Sequence, residues 1–168
     1  MLCREYFPYT GLTMSSSLKN ALTHYYDFMT AYENLLRDGG SLNVTSAWVP
    51  RDDTGNVAFN AWTPRLGKVT AFARVWDNRT VVHLLNFRQA DSLSWRDMDG
   101  TMPAPELLQN IPLHFNNVKK TVTRVCVATP DAAGGAMQEL AFTQEGGILS
   151  FTLPSLLYWS MLVITTQD

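Results

Sequence analysis

The side chains best suited to chemistry are three carboxylates near the middle of the chain. Asp97 and Asp99 lie in the segment Trp95-Arg-Asp-Met-Asp-Gly100, and Glu106 follows shortly after. Glycoside hydrolysis requires two carboxylates about 5 to 10 Å apart, one of them with a raised pKa. Acidic residues beside glycine and proline are also ordinary turn formers. Two interpretations therefore stay open, a small hydrolase that uses Asp97 and Glu106 and a pair of solvated turns.

The sequence contains no clear pattern for a metal-binding or cofactor-binding site. Asp97 and Asp99 resemble the start of a calcium-binding loop, but the later ligands of such a loop are absent. The histidines His24, His83 and His114 share no metal-ligand spacing with one another or with either cysteine. No glycine-rich stretch has phosphate-loop spacing. We therefore predict neither a metal ion nor a cofactor.

The tryptophans suggest another chemistry, because a flat aromatic face can stack on a sugar ring. Five are present, namely Trp48, Trp62, Trp76, Trp95 and Trp159. Aromatic residues also fill the cores of β-sandwiches, so their position decides between the two roles. Trp95, beside Arg96 and Asp97, is the best placed to face solvent, and Trp62 is a second candidate.

Composition limits the classes of function. The net charge is −2, with 13 basic and 15 acidic residues interspersed, which argues against binding to nucleic acid or to an anionic membrane. No apolar run approaches the roughly 20 residues of a membrane span, and the N-terminal residues do not resemble a signal peptide. The two cysteines, Cys3 and Cys126, make no disulfide framework. We expect Cys126 to be a buried free thiol.

One helix organises the rest of the chain. Apolar residues recur at helical spacing between Ser15 and Arg37, with serines for an N-cap before them and Asp38-Gly39-Gly40 as a stop after them. The apolar face has two adjoining stripes and is wider than a surface helix needs. We therefore predict a helix that is covered from more than one side.

Strand patterns follow the helix. Lys68–Trp76 and Thr80–Phe87 predict a hairpin through Asp77-Asn78, with the second strand buried on both faces. Gln89–Asn117 has no clear period and predicts a long excursion or a pair of short edge strands. About eight strands joined by short antiparallel turns indicate a mainly β protein with a β-sandwich fold. The remaining predicted strands are Leu42–Val49, Val57–Trp62, Lys119–Ala128, Glu139–Thr143, Ile148–Leu153 and Leu157–Ile164.

Several stretches resemble the C-terminal end of glycoside hydrolase family 66, the dextranases and cycloisomaltooligosaccharide glucanotransferases. The most specific is Tyr26-Asp-Phe-x-x-Ala-Tyr-Glu-Asn-Leu-Leu-Arg-Asp-Gly39. The resemblance runs through nearly the whole chain in the family's order. The other stretches are Glu5-Tyr-Phe-Pro8, Met14-Ser-x-Ser-Leu18, His83-Leu-Leu-Asn-Phe87, Trp95-Arg-Asp97 with Pro103-x-Pro105, Thr129-Pro-Asp131 and Phe151-Thr-Leu-Pro-Ser-Leu-x-Tyr-Trp159.

The resemblance implies a division of the chain. Residues 1–40 would be the last loop and helix of a catalytic (β/α)8 barrel, and residues 41–168 a C-terminal Greek-key β-sandwich. The family's nucleophilic Asp and acid/base Glu belong to earlier barrel strands, so no catalytic residue is carried over. Barrel active sites are built from loops after the strands, which would place Tyr6 and Phe7 near the parent's substrate cleft.

We therefore predict a non-catalytic C-terminal structural domain, a fragment of an extracellular bacterial enzyme that acts on α-1,6-glucan. The alternative is a carbohydrate-binding sandwich that stacks α-glucan on Trp95 and Trp62. The expected partner is the parent's catalytic barrel. Without the barrel, some of Tyr25, Phe28, Met29 and Tyr32 would be left as an exposed apolar patch, through which the chain would form a homodimer.

Overall fold

A computed structural model describes residues 14–94, 97, 100–132 and 134–167. Helix α1 spans Ser16–Ala31 and the short helix α2 spans Glu33–Leu36. The Ser15 side chain caps α1 by accepting a hydrogen bond from the Leu18 amide, as the serine cluster predicted. No helix in the described ranges is long and apolar enough to span a bilayer.

Eleven strands follow the helices within the described residues, and they form two sheets. The strands are β1 Ser41–Asn43, β2 Arg51–Asp52, β3 Phe59–Ala61, β4 Val69–Val75, β5 Arg79–Asn86, β6 Leu108–Phe115, β7 Thr121–Ala128, β8 Gln138–Glu139, β9 Phe142–Glu145, β10 Ile148–Leu156 and β11 Trp159–Gln167. The large sheet has the order β1-β4-β5-β11-β7-β8 with β3 paired to β4, and the small sheet has the order β2-β6-β10-β9. Only the β3–β4 pair is parallel among the described strand pairs.

The main core lies between the two sheets. Alternate residues of β4, β5, β7 and β11 meet alternate residues of β6 and β10, as expected for two sheets packed face to face. Leu84 and Leu162 from the large sheet and Leu113 and Leu153 from the small one are fully buried in this cluster. The predicted mainly β sandwich with one long preceding helix is confirmed.

A second core lies on the opposite face of the large sheet, under the helix. Phe28 and Leu35 from the helical segment pack with Val81 of β5 and Met161 of β11. The molecule therefore has three layers, helix, large sheet and small sheet. This layering explains why β5 is apolar on both sides, because Val82 and Leu84 face the sandwich core while Val81 faces the helix.

The predicted hairpin through Asp77-Asn78 is confirmed, with Val75 opposite Thr80 and the Trp76 amide donating to the Arg79 carbonyl. The prediction for Gln89–Asn117 is wrong at its end, because β6 is a long strand between β2 and β10 rather than a short edge strand. Pro112 interrupts the strand pattern in the sequence. Its carbonyl accepts from the Asp53 amide just beyond the end of β2, so the side that lacks an N–H faces away from β10 and no bond to β10 is lost.

The predicted strand Leu42–Val49 is also wrong. Only β1 is extended, and a 3-10 helix occupies Ser46–Trp48. The physical reason is local, since the Asn43 side chain accepts hydrogen bonds from the amide and the hydroxyl of Thr45. The Thr45 hydroxyl then caps the 3-10 helix by accepting from Ala47. These side-chain bonds replace the sheet ladder after Asn43.

Candidate functional site

The most elaborate group of polar contacts lies where the helix meets the sandwich, and it centres on Asp131. One carboxylate oxygen of Asp131 accepts a 2.7 Å hydrogen bond from the Tyr25 hydroxyl of α1. The other accepts from the backbone amides of Tyr158 and Trp159, at 2.8 and 2.9 Å, in the turn that leads into β11. Asp131 therefore ties the helix to the β10–β11 turn through one side chain.

Thr129 and Tyr25 complete this connection. The Thr129 hydroxyl donates to the Trp159 carbonyl at 2.7 Å and accepts from the Asp131 amide at 3.1 Å. Burial, and then the hydrogen bond to the Asp131 carboxylate, raise the pKa of the Tyr25 hydroxyl. Tyr25 is therefore held as a neutral donor, and the segment from Thr129 to Asp131 acts as a clamp between the helix and the sheet.

Aromatic rings fill the space beside the clamp. Phe28 is 2% exposed and meets the Trp159 ring edge-on at 4.9 Å between centroids. The Tyr32 ring lies 4.8 Å from Phe28, and its hydroxyl donates to the Gly135 carbonyl at 2.9 Å. A Cβ on Gly135 would come within 3.1 Å of the Phe28 ring, so glycine is what lets this loop approach the helix closely.

The aromatic row continues across the large sheet toward its edge. His83 is 3% exposed, accepts a hydrogen bond from the Trp159 indole at 3.2 Å and stacks on Phe72 at 4.7 Å. Burial, and then the positive charge of Arg74, lower the pKa of His83 to about 4. The imidazole is therefore neutral at physiological pH and serves as a structural acceptor. This agrees with the buried character that the sequence predicted for its strand.

Trp62 stands at the far end of this row. It is 45% exposed, and its ring meets Phe72 edge-on at 5.6 Å. The indole therefore presents apolar surface to solvent on a fixed support. The other residues that the sequence suggested as sugar contacts, Trp95, Tyr6 and Phe7, lie outside the described residues, as does Asp99.

The two described carboxylates considered for catalysis have local protein partners. Asp97 accepts from the backbone amides of Thr101 and Met102, at 2.9 and 3.0 Å. Glu106 forms an ion pair with Arg88 at 3.2 Å. Asp97 is thus used as a turn former, which is the simpler of the two interpretations of that segment.

No cluster of three or more His, Cys, Asp or Glu side chains suited to a metal ion occurs in the part of the chain that the structure describes. His114 pairs instead with the Asp53 carboxylate on the exposed face of the small sheet. Cys126 is buried in the second core, and burial raises the pKa of its thiol. Its predicted state as a buried free thiol is confirmed.

The helix presents a second apolar stripe to solvent. Leu18, Tyr26 and Met29 are each 42% exposed, and Leu22 beside them is half-buried. We call these four residues the outer stripe. Of the four residues among which the sequence placed an exposed patch, Met29 is exposed, whereas Tyr25, Phe28 and Tyr32 pack against the sandwich. Asp131 bonds Tyr25, and Gly135 accepts from Tyr32 and lies beside the Phe28 ring, so these two residues after β7 help to cover the three rings.

Four of the seven motifs singled out in the sequence meet at this junction between helix and sandwich. The longest supplies Phe28, whose ring contacts Trp159 from a second motif. The other two supply Asp131, which accepts from the Trp159 amide, and His83, which accepts from the Trp159 indole. Sequence reasoning did not assign the Tyr25–Asp131 bond, although Asp131 stood in a quoted motif. Only the fold brings these residues together, because they are far apart along the chain.

The fold and the junction together define a mainly β domain that carries one helix as an integral layer. The family model of glycosyl hydrolase family 66 matches residues 1–163, and the chain belongs to this family. The sequence is 39% identical to a cycloisomaltooligosaccharide glucanotransferase of Niallia circulans over 96% of this chain. It is 27% identical to a dextranase of Streptococcus salivarius over 98% of this chain.

The structural comparison agrees with the sequence comparison. A cycloisomaltooligosaccharide glucanotransferase of Paenibacillus sp., solved in complex with cycloisomaltoheptaose, aligns over 97% of this chain with a TM-score of 0.75 and 31% identity. The chain spans only a part of these relatives, 17% of the Niallia protein, 22% of the dextranase and 23% of the Paenibacillus chain. What it matches is therefore one region of a larger kind of protein.

Proposed function

We propose that this chain is the non-catalytic C-terminal structural domain of a larger family 66 enzyme that acts on α-1,6-glucan. Residues 1–40 would be the last loop and helix of its barrel, and residues 41–168 its C-terminal sandwich. The observation that carries the proposal is the two-sided helix. One side is fixed to the sandwich by Phe28 and by the Tyr25–Asp131 bond, while the outer stripe stays exposed.

The outer stripe has the chemistry of an interface between packed elements. Leu18, Tyr26 and Met29 leave apolar surface in water at a cost of about 25 cal/mol for each Å² that a partner would cover. In a (β/α)8 barrel the helices pack around the parallel strands, so the outer stripe of this last helix would face the strands of the barrel. The partner in this proposal is the parent's own catalytic barrel, and the parent works outside a bacterial cell.

The non-catalytic role is supported by how the described carboxylates are used. Asp97 holds a turn and Glu106 pairs with Arg88, so each of these carboxylates has a local structural role. We expect the isolated chain to release no reducing sugar from dextran. Release at an enzymatic rate, abolished by Asp97→Asn, would contradict the proposal and favour a small hydrolase.

A test of the barrel contact uses the enzyme encoded by the complete reading frame around this sequence. Met29→Lys should lower the stability of that enzyme while changing the isolated chain little at dilutions where that chain is monomeric, because Met29 would then be covered only in the former. Thr30→Lys, at an exposed neighbouring position off the outer stripe, is the control. Equal effects of Met29→Lys in the long and the short protein would refute the barrel contact.

A second candidate function is carbohydrate binding at Trp62. The supporting observation is the exposed indole held edge-on by Phe72. Titration with isomaltotriose should quench tryptophan fluorescence more strongly in the wild-type chain than in Trp62→Ala, whereas Leu66→Ala, at an exposed residue four positions later, should behave like wild type. If the tryptophan fluorescence of all three proteins stays unchanged at millimolar sugar, Trp62 does not bind sugar and only the structural role remains.

A further inference from the structure

Two neighbouring cavities open at the end of the sandwich where β4 ends and where β6 is joined to β7. Each has a volume of about 370 Å³. Three residues line both of them, namely Trp48, Asn117 and Val118. The two cavities are therefore adjacent parts of one groove, which we call the Trp48 groove. Its parts fall within the size range of sites for small organic ligands.

Trp48 is the shared aromatic wall of the groove and is held from two directions. The Asn43–Thr45 hydrogen bonds and the Thr45 cap fix the 3-10 helix that carries it. Its ring lies 5.8 Å from the buried Phe115 ring, between centroids. The indole is only half-buried, so it combines a fixed position with surface that a ligand can contact.

The opposite rim is equally well fixed. Asn117 has a left-handed backbone with φ of 60°, which asparagine adopts more readily than most residues. The next residue, Val118, donates from its amide to Gly147 at 2.9 Å, and its carbonyl accepts from the Gln144 side chain at 3.1 Å. The β6–β7 loop is thus tied to the β9–β10 hairpin. The Asn117 side chain is consequently presented beside Trp48 by a rigid support.

The lining chemistry fits a neutral sugar. The first cavity adds Ser46, Arg51 and Asn116 to Trp48 and Asn117. The second adds Thr80 and the charged residues Asp77, Lys119 and Lys120, so hydroxyl, amide and charged groups of both signs surround the indole. Pyranose rings offer an apolar C–H face for the indole and hydroxyl groups for amide donors and acceptors. We propose that the Trp48 groove binds a neutral oligosaccharide, with Trp48 as the stacking surface and Asn117 as a hydrogen-bonding side chain.

This proposal goes beyond the barrel-supporting role and beyond the Trp62 surface. The residues that line the Trp48 groove include neither Trp62 nor its support Phe72. The groove lies at the end of the sandwich, on elements other than the helix and its outer stripe. Each of the three proposals can therefore fail without the others.

The test follows the indole N–H signals of the chain by nuclear magnetic resonance during titration with isomaltotriose and, separately, maltotriose. The Trp48 signal should move in a saturable way with at least one sugar, whether or not the Trp62 signal also moves. Asn117→Gly keeps the left-handed backbone and removes the amide, so we expect binding about tenfold weaker, or about 1.4 kcal/mol. Trp48→Leu should abolish the binding.

The matched control is Asn110→Gly, which changes the other described asparagine with positive φ, 50°, in β6 and outside the groove lining. It should bind like wild type. The proposal is overturned if neither sugar moves the Trp48 signal, or if Asn117→Gly binds as well as Asn110→Gly. A response confined to the Trp62 signal would also overturn it, and would support the second candidate function instead.

Discussion

The Tyr25 hydroxyl and the Asp131 carboxylate are 2.7 Å apart across 106 positions of the chain, and their hydrogen bond joins the helical layer to the sandwich. The same carboxylate also satisfies the amides of Tyr158 and Trp159. A hydrogen bond to a charged group is among the stronger single contacts in a protein. The helix is therefore attached by a specific contact as well as by apolar packing.

The first prediction concerns this bond. Tyr25→Phe should lower the free energy of unfolding by about 1.5–3 kcal/mol, because it removes a hydrogen bond to a charged group. Asp131→Ala should cost more, since it also leaves two backbone amides without their acceptor. In urea titrations, the double variant should be less destabilised than the sum of the two single variants.

The matched control for the bond is Tyr26→Phe, which makes the same chemical change on an exposed neighbour. Its effect should stay within about 0.5 kcal/mol of wild type. Additive effects of Tyr25→Phe and Asp131→Ala would mean that the two side chains are not coupled.

The second prediction concerns acid stability and His83. Its pKa is about 4 in the folded protein, against about 6.5 for an unperturbed histidine. Between these values the unfolded chain binds a proton that the folded protein does not. The contribution of the neutral His83 side chain to the free energy of unfolding is therefore fully present above pH 6.5. It is lost as the pH falls through 4, by about 3 kcal/mol in total.

His83→Gln provides the comparison for this effect, because glutamine keeps an acceptor for the Trp159 indole and does not titrate. Unfolding free energies measured from pH 7 to pH 4 should fall less steeply for His83→Gln than for wild type. The difference between the two curves isolates His83, because every other titratable group is common to both proteins. Parallel curves for wild type and His83→Gln would contradict a buried neutral imidazole.

The third prediction concerns the contact between Gly40 and Trp76. Gly40 has φ of 68°, and a Cβ on it would lie 2.7 Å from the Trp76 ring. Gly40→Ala must therefore displace the indole as well as strain the backbone. Gly55 has a similar φ of 72°, and nothing lies within 4 Å of a Cβ placed on it, so Gly55→Ala carries only the backbone cost, about 1 kcal/mol. Thermal unfolding should rank Gly40→Ala clearly below Gly55→Ala, and equal midpoints would show that the Trp76 contact costs nothing.

The fourth prediction concerns self-association through the outer stripe. An exposed apolar helix face invites a second copy when its natural partner is missing, and a twofold dimer is the commonest arrangement. Light scattering should detect dimers of the isolated chain at high concentration, and Leu18→Lys with Met29→Lys should return it to a monomer. Lys19→Glu, an exposed change outside the stripe, should leave the dimer intact. A wild-type monomer at high concentration would count against the stripe as an interface.

Local chemistry was the part of the fold that the sequence predicted well. The Asp77-Asn78 hairpin, the two-sided burial of β5 and the serine cap of α1 all depend on residues close together in the chain. β6 was missed because Pro112 and the left-handed Asn110 interrupt its pattern, while the neighbouring strands that compensate for them are distant in sequence.

The sequence alone could not predict which face of the helix is covered or which residues form the polar junction, because both depend on the tertiary fold. Tyr25, Phe28 and Met29 all lie on the broad apolar side of α1, and periodicity alone cannot tell which of them a distant loop will cover. Asp131, three residues after the end of β7, determined which face is covered by contacting Tyr25. The groove around Trp48 was likewise invisible, because its walls come from separate parts of the chain.

The position of β11 in the large sheet has a consequence for synthesis on the ribosome. β11 is the final strand in sequence, yet it lies between β5 and β7 in the middle of that sheet. A nascent chain that has not yet exposed β11 holds two apolar strands whose shared neighbour is missing, and open edges of this kind promote wrong pairing. We expect the domain to acquire its stable form only when β11 has left the exit tunnel, so that chaperones guarding such edges would act before that point.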